Sequence, residues 1–193
     1  MRRLGVVPLA ITAGIVLAAA AAGEESTDKA VYRGRLFLGS GPTTQGVVTV
    51  QVVIEHLSTS QELAGLLPHM GAGDMSLFFD KAEAFKAGSL QYLGARGLRI
   101  DFPLAFEKKT ERGRRIFLVA ENQRADPSSS LKLISEEQFI RDLFLVVALT
   151  LDEKDQGEGN IYQEARVKFS AEGEFELLGY RTTPFLIVSL HRK

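Results

Sequence analysis

The stretch that most constrains this chain is Asp142–Asp152, because it is apolar on both sides of an extended backbone. Leu143, Leu145, Val147, Leu149 and Leu151 alternate along one face, and Phe144, Val146 and Ala148 fill most of the other. A strand with two apolar faces belongs at the centre of a sheet that is covered on both sides. It runs into Asp152–Gly159, whose glycines and carboxylates mark a turn. A second strand, Asn160–Ser170, follows with Ile161, Ala165, Val167 and Phe169 on one side. The pair reads as a hairpin at the heart of the sheet.

Around it the chain alternates in the same way. Val31–Gly39 and Val47–Leu57 are extended, joined by the turn Ser40–Gly46, with Val48, Val50, Val52 and Ile54 facing one way. The period then changes. Thr59 and Glu62 have the spacing of a capping box, and Leu63, Leu66 and Leu67 form a helical stripe that stops before Pro68. His69–Gly73 reads as a break. Asp74 caps a second helix that carries Leu77, Phe78, Ala82 and Phe85 through about Lys86. Beta periodicity returns at Ser89–Leu93. It continues through Leu98–Glu107, where Leu98, Ile100, Phe102, Leu104 and Phe106 alternate on one face and Pro103 points outward. Proline cannot donate to a ladder, so that strand is placed at an edge or a bulge. Arg114–Glu121, Glu174–Tyr180 and Phe185–His191 supply further strands, and Ser135–Gln138 has the composition of a short helix start.

These elements define the fold class as α+β and β-rich. The expected architecture is a mainly antiparallel, curved sheet of about eight or nine strands, barrel- or sandwich-like, with an inserted two-helix arm. An open sheet with the helices across one face is the competing arrangement. The sequence divides into residues 1–22, a polar linker at 23–30, and a single domain at 31–193 whose helical arm spans about 59–87.

The first segment is an export signal by pattern. Met1–Arg3 is basic, Leu4–Leu17 is almost wholly apolar, and Ala20–Ala22 fits a small-residue cleavage site. An uncleaved anchor is the rival reading, since Leu4–Ala22 is nearly long enough to span a bilayer. A short arginine region before a compact apolar core points to a bacterial envelope protein, periplasmic or secreted, with no membrane span once the signal is removed.

Composition closes off several chemistries. The chain has no cysteine, which excludes disulfides, thiolate catalysis and cysteine-held metals. The formal charge is −1, and no basic cluster is interleaved with aromatics, so nucleic acid is not expected as a partner. Arg112–Arg115 is the densest basic run and falls at a turn. There is no P-loop, no dinucleotide fingerprint and no nucleophile elbow, and no cofactor is expected. The three histidines, His56, His69 and His191, lack metal-ligand spacing. Asp152, Asp155 and Glu158 are the candidate calcium ligands, beside the simpler reading of a solvated hairpin turn. Paired carboxylates for sugar hydrolysis are a matter of spatial pairing, but the tryptophans that would stack on sugars are missing.

Several short motifs occur together: Gly34-Arg35-Leu36, the turn Ser40-Gly41-Pro42, Ile54-Glu55 leading into Ser60–Leu63, Gly113–Ile116, and Leu151-Asp152 with Gly157–Gly159 before Ala165–Phe169. In these the mature chain resembles a family of uncharacterised exported bacterial proteins that carry a signal peptide. The resemblance implies export and implies no activity or site residue.

The functional expectation is a non-enzymatic periplasmic or secreted domain that binds an apolar small molecule, a peptide or an envelope protein. A hydrolase of unrecognised type is the alternative. Leu66, His69, Met70 and Phe78 are the candidate binding residues, since the arm is too apolar for two free helices and pockets are mostly apolar.

Overall fold

The computed structural model describes residues 29–38, 46–94, 98–122, 144–170 and 174–193. The predicted signal segment, most of the Ser40–Gly46 turn, the Ser135 helix start, Asp142 and Leu143 lie outside the described residues. In chain order the elements are β1 (Ala30–Leu38), β2 (Gly46–Ile54), α1 (Ser60–Gly71), α2 (Met75–Ala82), β3 (Gly88–Leu93) and β4 (Arg99–Phe102). Then come β5 (Leu104–Thr110), β6 (Gly113–Glu121), β7 (Phe144–Leu151), β8 (Gln156–Phe169), β9 (Phe175–Tyr180) and β10 (Phe185–Arg192).

All ten strands belong to one sheet in the order β4-β3-β2-β1-β10-β8-β7-β6-β5, with β9 alongside β8, and every pairing is antiparallel. β4 and β5 hold opposite ends of this order, yet only Pro103 separates them in the chain. The sheet is therefore rolled until its two ends meet, without a ladder that closes it. The approach is close: a Cβ on Gly88 of β3 would stand 2.9 Å from Leu118 Cδ2 of β6. The same Cβ would stand 2.5 Å from the Val53 carbonyl of β2, so the backbone there takes only a glycine.

Rolling gives the sheet an inside and an outside, each with its own core. The inner cluster gathers Tyr32, Leu36, Val50, Val52, Leu90, Phe102, Leu118, Val147, Leu149 and Ile187, among others. The outer cluster lies under the helices. Leu63, Leu66, Met75, Phe78, Phe79 and Ala82 pack there on outward-facing residues of β5 to β8. β7 carries both clusters, with Val147, Leu149 and Leu151 inside and Phe144, Val146 and Ala148 outside. It is the doubly covered strand that its composition predicts, paired with β6 and β8.

Four expectations change. Leu98–Glu107 is two strands, which is why the count exceeds the estimate. Pro103 is buried at the corner between them. The corner also changes faces: Phe102 enters the inner core, whereas Leu104 and Phe106 enter the outer one. The edge position inferred from the proline holds for both halves. In β8 the expected common face of Ile161 with Ala165, Val167 and Phe169 is broken. Val146 pairs with Tyr162 but Phe144 with Ala165, and this register shift sends Ile161 inward and the other three outward. Finally, α1 does not stop at Pro68. It continues to Gly71, and the Ala72 amide donates to the Pro68 carbonyl at 3.0 Å. Proline removes the donor that would serve Ala64, but Ala64 is exposed and water can serve its carbonyl. The true break is Ala72–Asp74, with Gly73 left-handed at φ +76°. The second helix ends at Ala82, short of Lys86.

Candidate functional site

The arm is held by its predicted caps. The Glu62 amide donates to Thr59 Oγ1 at 3.2 Å and the Thr59 amide to Glu62 Oε2 at 2.8 Å, while Asp74 accepts from the Leu77 amide at 3.0 Å. These caps aim the apolar stripes of both helices at the outer core. Leu66 and Phe78 are buried within it, and Phe78 makes ring contacts with Phe79, Phe144 and Phe169 at 5.2, 6.3 and 6.0 Å. Met70 packs on the same cluster. His69 Nε2 lies 2.8 Å from Lys81 Nζ and ties α1 to α2. Leu66, Met70 and Phe78 are thus placed in or on the outer core and His69 beside Lys81, and none of the four lines the cleft described below. His56 does not meet His69; its Nε2 is 3.6 Å from Glu62 Oε1.

The acidic turn is engaged from within. Asp152 Oδ1 accepts from the amides of Lys154 and Gln156 at 2.8 and 2.9 Å, which shapes the turn. Asp155 takes Arg114 Nη2 at 2.7 Å and Arg192 Nη1 at 3.1 Å. Glu158 is exposed on β8. Among the described residues, no three His, Asp or Glu side chains are arranged to hold a metal ion.

A cleft among the described residues arises from a mismatch in strand length. Val119 is the last β6 residue paired with β5, opposite Leu104. Ala120 and Glu121 keep their β7 partners, Leu145 and Phe144. On their other side stands β4, whose ladder among the described residues is with β3 alone. The sheet is unzipped at this seam, and a cleft of about 910 Å³ opens there from the surface beside α2 into the inner face.

Its inner wall is apolar: Tyr92, Ile100, Phe102, Leu145, Ile161 and Phe185, with Gln163 and Asn122 among them. Five hydrophobic residues pack on the inner core without being fully buried: Leu57, Tyr92, Ile100, Leu145 and Phe185. Four of these line the cleft, so the incomplete burial of the inner core is concentrated there. The opening is charged, with Glu55, Glu83, Lys86, Arg99, Asp101 and Glu121. Burial, then the neighbouring carboxylates of Asp80 and Glu83, push the Glu121 carboxyl above its ordinary range. Sequence reading misses this site because its walls come from six strands. The available signal is Pro103, which separates two edge strands and so marks where the sheet fails to join.

Compared with family models, curated proteins and solved structures, the chain matches none. No helix among the described residues is long and apolar enough to cross a membrane.

Proposed function

We propose that this chain is a binding domain of the bacterial envelope, exported to the periplasm or secreted, that takes an apolar small molecule into the cleft between β4 and β6. The observation that carries the reading is the part-exposure of Tyr92, Ile100, Leu145 and Phe185 within an otherwise buried inner core. Exposed apolar wall is unfavourable in water by about 25 cal/mol per Å², and a ligand that covers it recovers that free energy. Export rests on the pattern Met1–Ala22, with cleavage after Ala22.

Titration of the mature protein with the neutral fluorophore N-phenyl-1-naphthylamine tests the site. Leu145→Trp fills the cleft and is expected to weaken binding about tenfold or more, a loss of about 1.4 kcal/mol, with little change in melting temperature. No saturable fluorescence in the parent protein overturns the reading. N-terminal sequencing of exported material tests the location, with Gly23 as the expected first residue.

One observation favours a second reading, a hydrolase. A carboxyl whose pKa is raised beside other carboxylates is the arrangement of an acid–base pair, and Glu121, raised by burial and then by Asp80 and Glu83, has that character. Turnover of a glycoside or ester panel that is abolished in Glu121→Gln would favour it over simple binding.

A further inference from the structure

The cleft is polarised along its length, and this says what kind of molecule it takes. The inference rests on the binding reading above. The buried and half-buried part of its lining is Ile100, Leu145, Ile161 and Phe185, whereas Glu83, Lys86 and Glu121 are exposed. At the opening three of the charges are already matched: Arg99 Nε bonds Asp101 Oδ1 at 2.6 Å, and Glu55 Oε1 accepts from Lys29 Nζ at 2.8 Å. Glu83 and Glu121 remain, with Lys86 as the cation on that side. Asp80, one helical turn before Glu83, adds its field to that of Glu83 at the Glu121 carboxyl. Carboxylates therefore outnumber ammonium groups at the mouth of an apolar cavity.

We propose that the ligand is a cationic amphiphile whose ammonium or guanidinium head lies between Glu83 and Glu121 while its hydrocarbon body enters between Ile100, Leu145 and Phe185. A cation at that point relieves the mutual repulsion of the carboxylates, which are exposed at the rim. An anionic head of equal size meets the repulsion instead. The raised pKa of Glu121, due first to burial and then to Asp80 and Glu83, agrees with an excess of carboxylates over the single Lys86 at this opening.

The test displaces N-phenyl-1-naphthylamine from the mature protein with three amphiphiles of one chain length: dodecylammonium, dodecanol and dodecanoate, each below its micellar concentration. The expected order is dodecylammonium first, with dodecanoate needing about tenfold more, and a difference that shrinks as salt rises. In the double variant Glu83→Gln, Glu121→Gln the cationic and anionic compounds become equivalent, while dodecanol is unaffected. If dodecanoate displaces as well as dodecylammonium from the parent, the charge preference is wrong and the binding site stands. If the preference survives the double variant, the head does not lie at these carboxylates. If the probe never binds, both this inference and the reading beneath it fall.

Discussion

The guanidinium of Arg114 donates to the hydroxyl of Tyr32 across 2.9 Å, although 82 residues separate them in the chain. The same Arg114 bonds Glu107 at 3.0 Å and Asp155 at 2.7 Å, and Asp155 in turn holds Arg192 near the end of β10. One side chain therefore joins β1, the β5–β6 hairpin and the turn between β7 and β8. Charge-assisted bonds of this kind are shorter and stronger than neutral ones.

Replacing Arg114 with Met leaves the Asp155 and Glu107 carboxylates and the buried Tyr32 hydroxyl short of a donor. Both carboxylates are partly screened by solvent, so the cost is below that of a buried pair, about 1–3 kcal/mol. Urea denaturation of the variant is expected to show a lower midpoint with the slope unchanged.

The Tyr32 phenol sets an alkaline limit. Burial holds its pKa above the ordinary 10.0, against the pull of Arg114. A raised folded-state value means the stability contribution is complete below pH 10.0 and is lost as pH rises through the folded value. The parent should lose more melting temperature than Tyr32→Phe between about pH 9 and about pH 11. Equal losses in the two proteins would show that the phenol does not control the transition.

Val147 lies fully buried in the inner core on the doubly covered strand. Val147→Asp puts an unpaired charge there and is expected to cost several kcal/mol, about the whole stability of a domain of this size. Glu176→Lys, on an exposed position of β9, serves as the control and should leave melting almost unchanged.

Phe78 and Leu66 belong to the outer core and not to the cleft. Phe78→Ala is expected to cost about 3–5 kcal/mol and Leu66→Ala about 2–5 kcal/mol. At temperatures where both variants are folded, affinity for N-phenyl-1-naphthylamine should match the parent. A large loss of affinity with intact stability would return the arm to the binding site.

The local physics was legible in the chain. The two apolar faces of Phe144–Leu151 announced a strand between two cores, the Thr59–Glu62 spacing announced a helix start, and Pro103 announced an edge. The parts that were not legible depend on register. Nothing in Asn160–Phe169 itself signals that two residues of β7 take up three of β8, yet that shift decides which face Ile161 and Ala165 occupy. The cleft is hidden for the same reason. It exists because β5 pairs no further than Val119 while β6 continues, and that is a relation between strands. The arm looked like a pocket from its apolar residues alone. The structure places its residues over Phe117, Val119, Phe144 and Phe169, away from the cleft.

The first strand of the described chain pairs with the last, Tyr32 beside Arg192 and Leu36 beside Ile187, and joins the two halves of the sheet. Without β10, β1–β4 and β5–β9 have no ladder between them among the described residues. Pairings so distant in sequence carry a high entropy of closure and make folding slow. Phe185–Arg192 is therefore the clasp of the sheet: wherever that strand is unpaired, the two halves stay apart.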